Sequence, residues 1–166
     1  MMKLIAAIDR NNGIGKNGQL LTSIPNDMRF FRETTTGHVV VMGRKTLESF
    51  PGGKPLKNRV NIVMTRNPAY SKEGVIIVHN TEELEKALRP YPDRSVFVIG
   101  GESIYRELLD QCDTAYLTKI DHVYDADAFF PDIDAMPDWQ CIYKSEEQTY
   151  FNLVYYFTEY RKQITV

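Results

Sequence analysis

The amino-acid sequence predicts an α/β fold: one domain over residues 1–166, on a mixed, mainly parallel central sheet of about eight strands, with helices on both faces and an antiparallel C-terminal edge. Three observations predict it. Short runs rich in Val, Ile, Leu and Tyr, bounded by Gly, Pro, Asn or Asp, alternate with helical patterns as far as Ile120, which is the rhythm of a parallel sheet covered on both sides. After that point two strand-like runs are joined by "EEQT" with no helix between them, and so short a connection joins antiparallel strands. The chain has 166 residues, 43% of them hydrophobic. It can therefore bury roughly 68–70% of the surface its unfolded form exposes, with no metal or disulfide needed for folding.

The strands fall at residues 4–8, 38–42, 60–64, 75–78, 96–99 and 115–120, each a compact β-branched or aromatic run. Helices are expected at 25–35, 44–50, 81–88 and 103–111. Pro25 stands near the first helical position of the first. Asn80 with Glu83 opens the third as a capping-box-like pair, and Pro90 stops it. The last two strands, 139–145 and 150–161, form the antiparallel edge. Both sides of the final run are mostly apolar, which predicts a largely buried strand. In such sheets ligands bind beyond the carboxyl ends of the strands.

A net charge of −2 and a pI near 5.9 give no surface tuned to nucleic-acid phosphates or an anionic membrane. Cys112 and Cys141 form no CxxC pair, which points to a reducing compartment. His38, His79 and His122 lie too far apart for a local metal motif, so no metal is assigned. The opening "MMKLIAAIDR" has only five consecutive apolar residues before Asp9, short of the 7–15 or so of a signal peptide core. A cytoplasmic, soluble monomer is expected.

Two strand-to-helix turns carry glycine, "VVVMGRKT" at Gly43 and "VFVIGGES" at Gly100 and Gly101. Each reads either as a plain turn or as a place where the backbone approaches a phosphate. Neither matches GxGxxG or a P-loop, which disfavours an ordinary dinucleotide-binding Rossmann domain or an NTPase. Arg44, Lys45 and Thr46 follow the first turn, and Thr65 and Arg66 end the next strand, so cations and hydroxyls gather at one edge of the sheet. Asp27 reads alone as an acid complementing the first turn of its helix. It is also four residues from Phe31 and shares its face, so if Phe31 faces inward, Asp27 does too.

In order along the chain, "LIAAI", "GIG", "IPND…FF", "VVVMGRKTLES", "PLKNR", "IVMTR", "VFVIGGESIY", "YLTKID" and "DADAFFPD" resemble the dihydrofolate reductase family over essentially the whole length. The resemblance implies NADPH-dependent reduction of 7,8-dihydrofolate to tetrahydrofolate, feeding one-carbon metabolism. It places NADPH against Ala7, Ile14, Gly43, Arg44, Lys45, Thr46, Ile99, Gly100, Gly101, Ser103, Ile104 and Tyr105, with Thr65 and Arg66 at the 2′-phosphate. It places substrate against Ile5, Ala6, Ala7, Met28, Phe31, Phe50, Leu56 and Ile99, with Arg59 on the glutamyl α-carboxylate. The apolar members of this set read equally as core walls.

The resemblance also implies a catalytic set of Asp27, Leu20, Thr22, Tyr105 and Thr118. Asp27 would anchor the pterin and favour its protonated form, Thr118 would support the acid, and the proton would reach N5 from water. The glycine-rich stretch 9–23 would be a lid carrying Leu20 and meeting the loop around Ala126 and Asp127. One departure stands out: Thr22 occupies a position where the family usually has tryptophan. Glu102 and Ser103 fall where members vary, which leaves the roles of both open. The related reductase of riboflavin biosynthesis and a catalytically silent binding module are the rival readings. Asp27 with Arg59 argues against the first.

Overall fold

Burial alternates along the central strands: Val39 and Val41 pack into one apolar cluster and Val40 and Met42 into another. This is the two-residue period of a sheet buried on both faces. The structure is a computed structural model that describes residues 1–163. Its elements run β1 (Met2–Ile8), β2 (Gly13–Lys16), β3 (Gln19–Leu20), α1 (Pro25–Thr35), β4 (Val39–Gly43), α2 (Arg44–Ser49), β5 (Val60–Met64), β6 (Ile76–Val78), α3 (Thr81–Leu88), β7 (Val96–Val98), α4 (Glu102–Leu108), β8 (Cys112–Ile120), β9 (Ala128–Phe129), β10 (Trp139–Lys144), β11 (Gln148–Tyr150) and β12 (Leu153–Lys162).

The main sheet has the order β10-β12-β8-β1-β7-β4-β5-β6, with β11 added as a hairpin to β12. From β8 to β6 every pairing is parallel; β12 and β10 pair antiparallel. This is the mixed, mainly parallel sheet with an antiparallel C-terminal edge that the sequence predicts. Helices cover both faces. Phe30 and Phe31 of α1 and Leu47 of α2 pack with Ile5, Val40, Met42 and Phe97. Leu84 of α3 and Ile104 and Leu108 of α4 pack with Leu4, Val39, Val41 and Val98. Leu47 is fully buried, so its truncation to Ala would cost about 2–5 kcal/mol.

Several boundaries differ from the sequence reading, each for a local reason. The strand expected over 150–161 is two strands, because Phe151 takes a positive φ of 53° and turns the chain between β11 and β12. The new strand is only partly buried, with Tyr155, Thr158 and Tyr160 facing the interior. The helix expected at 103–111 starts one residue earlier and ends in a 3₁₀ turn over Leu109–Gln111. The stretch expected as a glycine-rich lid holds two strands to which the sequence reading gave no place: β2 and β3 pair as a hairpin, and β2 also pairs with β9.

Candidate active site

Two glycine turns meet at the carboxyl ends of β4 and β7, where the Gly43 N–H donates to the Gly100 carbonyl at 2.8 Å. Side chains would obstruct this closure. A Cβ on Gly43 would come 3.2 Å from Ile104 Cγ1, and one on Gly100 would come 3.3 Å from the Tyr105 ring. Gly100 also has a φ of 117°, which only glycine adopts freely. The helices that follow, α2 and α4, have no side-chain N-cap, which leaves their first N–H groups to other partners. Thr46 and Ser103 add hydroxyls. Lys45 and Arg66 pair with no carboxylate among the described residues, whereas Arg44 is held by Glu48 at 2.9 Å. Close backbone, free N–H groups and unpaired cations fit a phosphate-bearing cofactor.

Along one face of α1, Asp27, Phe31 and Thr35 recur at four-residue intervals. The helix starts where its sequence dictates, with Ile24 extended and Pro25 at the first helical position. Half-buried Asp27 accepts a hydrogen bond from the Thr118 hydroxyl of β8 through Oδ1, at 2.6 Å. Burial pushes its carboxyl above the ordinary value, and the Thr118 bond works against that push. Phe31 faces the sheet in an apolar wall with Ile5, Phe50, Leu56 and Ile99.

Fully buried Thr35 donates to the Phe31 carbonyl at 2.8 Å and accepts from Arg59 Nη1 at 3.1 Å. Arg59 Nε donates to the Lys57 carbonyl at 2.9 Å. Burial lowers the Arg59 pKa, and the neighbouring charge of Arg32 lowers it further. A cleft of about 710 Å³ opens here, lined by Arg32, Lys54, Lys57 and Arg59 together with Phe50 and Leu56, and by no acidic residue. It therefore suits an anion attached to an apolar body.

Tyr105 is buried with its hydroxyl donating to the Ile5 carbonyl at 2.7 Å, and its ring packs edge-on to Phe130 at 4.8 Å. Burial drives its pKa upward. Ala6 and Ile14 pack on the opposite cluster and Ala7 on a third, around Ile24 and Tyr155. Thr22 is half-buried. Neither Met28, expected against substrate, nor Leu20, expected on the lid, is packed into the wall: Leu20 is 68% exposed and Met28 50% exposed, the latter with its sulfur accepting from the Ser23 hydroxyl at 2.9 Å. Thr65 and Arg66 stand at the end of β5, one strand beyond β4.

The expected meeting of lid and far loop is present. The Asp127 N–H donates to the Gly15 carbonyl at 2.9 Å, and the Asn17 N–H to Asp127 Oδ2 at 3.0 Å. The sequence reading gave Asp9 and Thr35 no part in the site, weighed His79 only as a metal ligand and left the role of Glu102 open. His79 Nδ1 lies 2.7 Å from the Thr65 carbonyl, beside the cationic end of β5. A threonine four residues after an inward phenylalanine was the one signal that could have pointed to Thr35.

The family model for dihydrofolate reductase matches residues 1–162. The chain is 39% identical over 150 residues to a dihydrofolate reductase of Bacillus subtilis, covering 90% of this chain and 85% of the relative. It is 36% identical over 139 residues to a dihydrofolate reductase of Staphylococcus aureus, covering 84% and 82%. Among solved structures, the dihydrofolate reductase of Enterococcus faecalis complexed with NADP(H) and RAB-propyl matches at a TM-score of 0.86 and 34% identity, over 99% of this chain and 97% of that one.

Proposed function

The chain belongs to the dihydrofolate reductase family, and we propose that Asp27, backed by Thr118, is the acid around which it reduces 7,8-dihydrofolate with NADPH. The reaction is hydride transfer to C6 with protonation of N5. NADPH, when bound, supplies the hydride. Gly43, Lys45, Thr46, Gly100, Gly101 and Ser103 hold the pyrophosphate region, Thr65 and Arg66 the 2′-phosphate, and Ile99, Ile104 and Tyr105 border the nicotinamide.

On the substrate side, the Asp27 carboxylate takes the two donors of the pterin amidine edge, so the ring is fixed in one orientation. Its charge favours the protonated, cationic pterin. The Tyr105 phenol already donates to Ile5 and is held protonated by burial, so it positions the Ile5 carbonyl and has no proton to release. In this reading the N5 proton comes from water, and Asp27 acts through its field. Phe31, Phe50 and Leu56 flank the aminobenzoyl group, and Arg59 grips the α-carboxylate of the tail.

The observation that carries this assignment is the single helix face on which Asp27, Phe31 and Thr35 meet Thr118, the apolar wall and Arg59 in turn. We further place the enzyme in the cytoplasm as a one-domain monomer over residues 1–166; no helix among the described residues is long and apolar enough to cross a membrane. Loss of NADPH absorbance on addition of dihydrofolate tests the activity. The expected result is oxidation that depends on dihydrofolate, and its absence in folded protein overturns the reading.

A further inference from the structure

Glu102 directly follows the Gly100–Gly101 turn and opens α4. Its two carboxylate oxygens are divided: Oε2 lies 3.5 Å from Arg106, and Oε1 accepts the backbone N–H of Phe129 at 2.6 Å. Phe129 belongs to β9, whose partner in the small sheet is β2, the first strand of the lid. The next N–H, of Phe130, donates to the Asn12 carbonyl at 2.7 Å.

A second carboxylate grips the same pair of segments at the root of the lid. Asp9 is 3% exposed. Its Oδ1 accepts from the Asn11 and Gly13 N–H groups and its Oδ2 from that of Tyr124, all within 2.9 Å. There is no slack at this root, because a Cβ on Gly13 would lie 2.7 Å from Ala126 Cβ and 2.9 Å from Asp9 Oδ2. Asp9 thus fixes how the chain passes from β1 of the main sheet into β2, and Glu102 fixes where β9 lies relative to the cofactor turn.

We propose that Glu102 is a positioning residue that ties the Gly100–Gly101 turn to the lid by holding β9 against β2. The inference rests on the reading of that turn as part of the NADPH site. The Glu102 side chain is 38% exposed, so its carboxylate accepting one backbone N–H counts as one ordinary hydrogen bond acting between two rigid pieces. Occupancy of the turn and the register of the lid sheet are then set together, and each biases the other reciprocally.

Hydrogen–deuterium exchange of the Phe129 and Gly13 amides in ligand-free protein tests the link, alongside the NADPH dissociation rate measured without folate. In E102A both the Phe129 exchange and the NADPH dissociation should rise by about 2–12-fold, the factor of one hydrogen bond. E102Q keeps an acceptor oxygen and should stay close to wild type, and Arg106→Ala should leave both readouts unchanged. If E102A does not fold, Glu102→Asp, one methylene too short, takes its place with the same expectation. Unchanged Phe129 exchange, lower thermal stability with unchanged NADPH dissociation, or equal damage from E102Q and E102A each overturn the proposal. Wild-type protein that binds no NADPH overturns the cofactor reading itself, a result distinct from the others.

Discussion

Replacing Asp27 by Asn separates what the acid does for the reaction from what it does to the fold, because the two effects have opposite signs. The folded-state pKa of Asp27 is raised by burial. A carboxyl raised in this way contributes stability that is fully present below its unfolded value and is lost as pH rises through the folded one. At neutral pH the ionised Asp27 therefore subtracts from stability, by about 1.4 kcal/mol for each tenfold change in its ionisation equilibrium. Asn is nearly isosteric, and its carbonyl can still accept from the Thr118 hydroxyl at the 2.6 Å site. Ligand-free Asp27→Asn should accordingly melt no lower than wild type at neutral pH, and this advantage should vanish in acid.

Turnover moves the other way. The substrate loses a charge-assisted bond to an ionised partner, a contribution of about 1.5–3 kcal/mol, so the rate should fall by about 10–150-fold at neutral pH. The lost rate should return as pH falls, because solvent can then protonate the pterin without help from a carboxylate. The assay is NADPH oxidation across a pH series, paired with thermal unfolding of the ligand-free proteins at the same pH values. Wild-type turnover in Asp27→Asn at neutral pH, or a variant that melts lower while retaining a native fold, refutes the argument.

Other expectations follow from the same geometry. Arg59→Gln keeps polarity but removes the bidentate cation beside Thr35; the dihydrofolate KM should rise about 10–150-fold with kcat little changed, as steady-state kinetics would report. Arg66→Ala should raise the KM for NADPH while leaving that for NADH unaltered, because only the former carries the 2′-phosphate. Gly100→Ala combines a φ of 117° with a 3.3 Å approach to Tyr105, whose ring cannot yield while its hydroxyl is held by Ile5. A loss of about 1–3 kcal/mol, or roughly 2–4 °C in Tm per kcal/mol, should appear in thermal unfolding.

What the sequence made legible is what short-range chemistry encodes. The bounds of α1 and α3 follow from Pro25 at the first helical position and from Asn80, whose side chain accepts the Glu83 N–H at 2.8 Å. The pairing of Asp27 with Phe31 follows from helical period alone. By contrast β2, β3 and β9 are two to four residues long and exist because distant segments pair, which leaves no periodic trace. Asp9 and Glu102 share a reason for escaping: the N–H groups of Tyr124 and Phe129 that they accept come from remote chain, and such a carboxylate looks like any surface acid until the chain has folded. The turn at Phe151 was hidden because its one polar residue, Asn152, stands inside a run whose apolar residues suit a continuous strand.

The two charges that define the site share one physical condition. Asp27 and Arg59 are each half-buried, and burial disfavours the charged form of both. They do not neutralise one another, since Asp27 bonds to Thr118 while Arg59 bonds to Thr35 and the Lys57 carbonyl. Between them runs the face of α1, and the eight residues from Asp27 to Thr35 span about 12 Å at 1.5 Å per residue. The helix is thus a ruler that holds an anion at one end of an apolar wall and a cation at the other. In the site proposed above, a ligand with a cationic head, an apolar middle and an anionic tail would meet both half-buried charges at once. A proline start, an acid two residues later and a threonine at the last position of α1 set the spacing along the helix, so under the proposed function the length of one helix is what matches such a ligand.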